Sequence, residues 1–206
     1  MIRSVKITSP LNKGKLEQAH QFFETHQNCV NYFIARLWLE QGFNGKYLEA
    51  PYLEAASQRF DLTAHLIQCA GKQAFEIVKS QRKRSKRQRT MPRFEHLSAT
   101  LDNRFWKVAT HSNSFEWIKL QSGFTFHLLF KKTRMWNKWV NKGFTLSKSL
   151  RLSIRKDELQ LEFFFEKGSP ELKTNGDVEG LDLGYVNLAV SSNGQIVGQL
   201  LPPRGG

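Results

Sequence analysis

Asp182 is the sharpest chemical feature of this 206-residue sequence. It stands in "VEGLDLGYVNLAVSSNGQ", Val178 to Gln195, between Leu181 and Leu183 and two residues before Gly184. An acid set in an apolar strand is expected to be buried, and a buried carboxylate must be paired, neutral or bound to metal. Such a carboxylate is what a two-metal phosphodiester hydrolase needs, with further carboxylates completing the clamp around Mg²⁺. A turn or capping aspartate is the plainer alternative. Asp177 and Glu179 are close by, but Glu179 is an odd number of residues away and falls on the opposite face of a regular strand.

The strongest electrostatic feature is the run from Lys79 to Arg93, "KSQRKRSKRQRTMPR", which holds eight basic residues and no acid. These are Lys79, Arg82, Lys83, Arg84, Lys86, Arg87, Arg89 and Arg93. Cations without interspersed acids repel one another and gain from a polyanion, and each phosphate they neutralise releases counterions. A solvated loop is the bland alternative. A second cluster, "KKTRMWNKWVNKG", interleaves Lys131, Lys132, Arg134, Lys138 and Lys142 with Trp136 and Trp139. Cations that hold a backbone beside aromatic faces that stack on bases make a single-strand binding surface, although both indoles could equally be core. Trp106 and Trp117, within alternating segments, are expected in the core. The 31 basic and 18 acidic residues leave a net charge of +13, which makes a phosphate backbone or an anionic surface the natural partner.

These residues must be positioned by elements legible in the pattern. "MIRSVKITSP" reads as a strand ended by Pro10. Apolar residues from Leu16 to Trp38 recur at helical spacing, predicting a helix over 15–41 capped by Gly42. Asp61 is expected to cap a second helix with Leu62, Leu66, Ala70, Ala74, Ile77 and Val78 inward. Beyond Pro92 the period becomes two, in "FWKVATH", "FEWIKL", "FTFHLLF" and "SLRLSIRKDELQLEFFFEK". The last is a hairpin turning at Lys156-Asp157-Glu158. "KGSPELKTNGD" reads as a linker. The order implies an α+β chain whose first strand joins the later β region, with the helices inserted between. Cys29 and Cys69 lack any ligand spacing and are expected to be buried small hydrophobes. No apolar run is long enough to span a membrane and no export signal is evident, so a cytoplasmic chain without a membrane partner is expected.

"GLDLGYVNLAVSSNGQ" resembles the first RuvC motif of the TnpB (OrfB-type) transposon-encoded RNA-guided nucleases, relatives of type V CRISPR effectors. "MPRF", Met91 to Phe94, is similar to the segment with which that family re-enters its β-barrel. The resemblance implies a wedge-type β-barrel from residues 1–10 and 91–168, interrupted by a helical recognition insertion at 11–90. Residues 169–206 would be a linker and the first strands of an RNase H-like (RuvC) domain. It makes Asp182 the first catalytic, metal-binding carboxylate. The family's later Glu, Asp and Cys-rich zinc segment have no counterpart, so the chain is expected to stop after the first catalytic strand pair and not to cleave DNA alone. Mg²⁺ is then the cofactor of the intact nuclease, with no metal held tightly by this chain. The implied partners are a structured guide RNA, target DNA and a second polypeptide that completes the RuvC domain. Two other readings remain open: an RNA-binding regulator or decoy without nuclease role, and an actin-like or heat-shock-chaperone-like ATPase fragment. Against the latter, Tyr185 and Val186 stand where its phosphate loop has small hydroxyl residues.

Overall fold

The computed structural model describes residues 1–39, 50–85, 87, 89–110, 116–121, 125–168, 180–183, 187–192 and 194–199. The two longest neighbouring strands of its first sheet form the hairpin of β6 (Thr145–Arg155) and β7 (Glu158–Glu166). Leu150, Leu152, Leu159, Leu161, Phe163 and Phe165 are all buried on one face, as period-two alternation predicts. The turn is one residue tighter than expected. Arg155 pairs with Glu158, leaving Lys156 and Asp157 alone in the loop with φ of 51° and 61°. This left-handed pair has the twist of the strands it joins, which a two-residue turn with negative φ would not match.

The first strand, β1 (Ile2–Pro10), runs antiparallel to β7 over its whole length, with Val5 opposite Phe163 and Ile7 opposite Leu161. On the other side β2 (Ser98–Asp102) pairs with β6, giving the order β1-β7-β6-β2. A second antiparallel sheet has the order β3 (Trp106–Thr110), β4 (Glu116–Gln121) and β5 (Thr125–Phe130). Phe126, Leu128 and Phe130 point into the core shared with the first sheet. A closed barrel is not formed among the described residues. The two sheets meet through side chains, Phe130 stacking on Phe163 at 5.4 Å, and no ladder joins them.

Among the described residues, three helices lie between β1 and β2. In α1 (Lys13–Leu39) the cap is Asn12, whose Oδ1 accepts from the Lys15 amide at 2.9 Å. Ala19, Phe23, Val30, Phe33, Ile34 and Leu37 form its buried stripe; Gly42 lies outside the described residues. α2 (Ala50–Arg59) was not predicted from the sequence. α3 (Ala64–Arg82) begins after Thr63 rather than Asp61. A tight turn in which the Leu62 amide bonds the Phe60 carbonyl at 2.8 Å occupies Asp61, and the helix starts with the Ile67 amide on the Thr63 carbonyl. A fourth helix, α4 (Arg134–Asn141), is likewise absent from the sequence reading; Thr133 Oγ1 accepts from the Trp136 amide to cap it.

Phe22, Phe23 and Leu66 belong to the strand core, whereas Phe33, Ile34, Leu37, Ala70, Ala74 and Val78 make a second, helical one. Residues Met1–Gly168 therefore form one compact unit in which the helices share a core with the sheets. The second unit, Ser169–Gly206, contains β8 (Leu181–Asp182), β9 (Asn187–Ser191) and β10 (Ile196–Gln199) in the order β10-β9-β8, all antiparallel. Gly194, at φ 86°, turns β9 into β10, and the preceding Asn193 lies outside the described residues. No helix among the described residues is long and apolar enough to cross a membrane.

Candidate nucleic-acid interface

The basic run is the C-terminal end of α3 and the extended chain after it. Lys79, Lys83, Arg84, Arg87, Arg89 and Arg93 are exposed, and Lys86 lies outside the described residues. Among the described residues no ion pair joins any of these six to an acid. The segment is held at both ends. At one end is α3, and at the other Phe94 is buried, its amide donating to Asn31 Oδ1 at 2.8 Å and its carbonyl accepting from Asn31 Nδ2 at 2.9 Å. Asn31 thus clips the returning backbone to α1, and the cations are displayed on a short tether.

Arg82 corrects the sequence expectation. Its guanidinium donates to the carbonyls of Leu37 and Trp38, each at 3.0 Å, and lies 5.5 Å from the Trp38 ring. It satisfies the orphan carbonyls at the end of α1, where a cation is favoured by the helix dipole. Arg82 is a clamp between two helices and is unavailable as a phosphate ligand in this arrangement.

Trp136 is a second correction. It is 5% exposed, with its ring 4.9 Å from Phe165, 5.0 Å from Phe163 and 5.7 Å from Phe130. An indole enclosed in this way has no face left for a base. Trp139 is only half-buried, against Phe144 at 5.4 Å, and carries three cations: Lys138 at 5.3 Å, Arg3 at 5.5 Å and Lys142 at 5.9 Å. Each such contact stabilises by about 0.5–1 kcal/mol when exposed. Arg3 comes from β1 and no local pattern could have placed it there. Lys131, Lys132, Arg134 and Lys138 are exposed around α4. Trp106 is buried against Phe163, as expected, and the side chain of Trp117 lies outside those described.

Asp182 does not occupy the buried site the sequence suggested. It is exposed on the two-residue β8 opposite Val190, and its neighbours Leu181 and Leu183 are 65% and 78% exposed. The physical reason is the size of this sheet: a short edge strand is covered only if another layer packs on it, and the described residues of this unit supply only the three strands themselves. Asp177, Glu179, Gly184, Tyr185 and Val186 lie outside them. No group of three or more His, Cys, Asp or Glu able to hold a metal is formed among the described residues. A single exposed carboxylate does not fit a two-metal clamp, so no hydrolytic step is derived through it.

Nor do the cysteines supply a nucleophile. Both thiols are free and buried, and burial pushes Cys29 up to about 12 and also raises Cys69. Cys69 faces Asp102, whose carboxyl is held below its usual range by hydrogen bonds from Arg104. Arg104 also reaches Nδ1 of His65 at 2.8 Å.

The fold and surface thus define an α+β chain with two cationic patches, one at the end of α3 and one around α4. No protein-family model matches the sequence, and no curated protein is found to be similar to it.

Proposed function

We propose that this chain is the guide-RNA- and DNA-binding part of a TnpB-type RNA-guided DNA endonuclease. The observation that carries the reading is the acid-free cationic segment from Lys83 to Arg93, tethered between α3 and the Asn31 clip on Phe94. Polyanion binding of this kind fixes register without reading sequence, which in such systems is left to base pairing. The wedge-type and RuvC-type domains, the cytoplasmic setting and a Mg²⁺ requirement of the complete nuclease belong to the same proposal.

RNA binding should show a steep salt dependence. Replacing Lys83, Arg84, Arg87 and Arg89 by Gln is expected to flatten the slope of log affinity against log salt by roughly 0.7–0.9 per lost phosphate contact. Arg82 is left intact because its loss would release the end of α1. An unchanged slope in fluorescence anisotropy titrations would remove the RNA site from this segment.

The exposure of Asp182 favours a second reading, an RNA-binding regulator or decoy. The two separate in a cleavage assay with RNA, Mg²⁺ and a target DNA, run with and without a polypeptide bearing the remaining nuclease carboxylates. Asp182 is a single exposed carboxylate, no group of three or more His, Cys, Asp or Glu able to hold a metal is formed among the described residues, and one carboxylate cannot hold two ions about 3.5–4 Å apart. The chain alone should therefore leave the DNA intact, and Asp182→Ala should leave RNA affinity unchanged. Cutting only in the mixture, lost in Asp182→Ala, supports the nuclease; no cutting in either supports the regulator. Cutting by the chain alone, abolished by Asp182→Ala, would overturn the argument.

A further inference from the structure

The outer face of the first sheet is the floor of a groove of about 1170 Å³, walled by α3 and by the chain from Pro92 to Leu97. Period-two alternation makes this face polar: the residues between the buried apolar ones are Lys6, Ser149, Arg151, Ser153, Gln160 and Glu162. Lys72, Gln73, Glu76 and Arg84 line it from α3 and its end. Most of its carboxylate charge is already offset. Glu162 lies 3.3 Å from Arg151 and 4.0 Å from Lys6, and Asp102 is bound by Arg104. Lys72, Arg84 and Arg155 are exposed and joined to no carboxylate by an ion pair among the described residues.

We infer that this groove is a binding site for an RNA strand and that it distinguishes RNA from DNA. The inference rests on the RNA-binding reading and adds a location and a selectivity to it. The groove exceeds the usual volume of a small-molecule pocket, and beside apolar side chains such as Ile77, Leu97 and Ile154 its lining carries the whole polar face of the sheet. Arg84 belongs both to the cationic segment and to the groove wall, so a backbone held by Arg87 and Arg89 is led onto the sheet. There the surface changes from cations alone to cations mixed with hydroxyls, amides and the carboxylate of Glu76, which no ion pair joins to a cation among the described residues. Phosphate needs only the cations. Hydroxyl and carboxylate acceptors match a partner that also carries donors, and the 2′-hydroxyl is the donor by which a protein tells RNA from DNA.

The test compares one hairpin RNA carrying a single-stranded extension with the DNA of identical sequence, in anisotropy titrations at fixed salt. Lys72→Gln with Arg155→Gln breaks no ion pair and should weaken RNA binding on the order of tenfold. Ser149→Ala with Ser153→Ala changes no charge. It should lower RNA affinity roughly fivefold while leaving DNA affinity unchanged, so the preference for RNA shrinks. Lys83→Gln with Arg87→Gln and Arg89→Gln should weaken both nucleic acids in parallel. If only this last variant loses affinity, the groove assignment falls and the RNA-binding reading stands. If the unaltered chain binds neither nucleic acid, that reading falls and takes the groove with it. Unchanged thermal melting of each variant shows that the fold is intact.

Discussion

Trp136→Ala should cost about 3–5 kcal/mol of stability, the range for deleting a large aromatic side chain from a packed core. The indole fills the space between α4 and β7, touching Phe163, Phe165 and Phe130, and nothing nearby can collapse into the void without moving the hairpin. Urea unfolding should show a lower midpoint with little change in slope. RNA affinity of the molecules that remain folded should equal that of the parent chain. Loss of binding with stability retained would instead make Trp136 a stacking residue. Trp139 provides the contrast, because its half-buried ring lies beneath Arg3, Lys138 and Lys142, where truncation loosens the cations more than the core.

Acid should destabilise the first unit well before its carboxylates protonate. His26 is completely buried on α1, and neither ring nitrogen has a hydrogen-bond partner among the described residues. Burial lowers its pKa from 6.5 to about 4, and the nearby Ser98 backbone offsets this only in part. The folded pKa lies below the unfolded one, so the unfolded chain binds the proton more tightly. Stability is therefore full above pH 6.5 and falls as the pH drops toward 4, by roughly 3 kcal/mol in all. Urea midpoints measured at intervals between pH 7.5 and pH 4 should trace this loss. His26→Phe should flatten it. An equally steep decline in that variant would assign the acid sensitivity to other groups.

The hairpin of β6 and β7 was legible because its alternation is written in consecutive residues, from Leu150 to Phe165. The stripes of α1 and α3 were legible for the same reason at the helical period. α2 escaped because it is short and offers little apolar periodicity, and α4 because its aromatic and basic residues read equally well as a binding loop. β2, "SATLD", has weak alternation of its own; its place is secured by the ladder to β6 and by the Thr100 amide donating to Gln73 at 3.2 Å. The closed barrel expected from the family resemblance depended on edge pairing, which no single strand encodes.

By itself the sequence determined the α+β class, the joining of the first strand to the later β region, and the sign and location of the charge. Those follow from period and composition, which are local properties of the chain. Only the tertiary structure decided what each charged or aromatic group does. Arg82 meets carbonyls of Leu37 and Trp38 some 45 residues away. Arg3 comes to lie beside Trp139, and Trp136 enters a pocket built by β5 and β7. Asp182 is exposed because burial requires a covering layer, not merely apolar neighbours in sequence. A side chain's role is set by the partners that desolvate or pair it, and those are brought together only when distant elements pack.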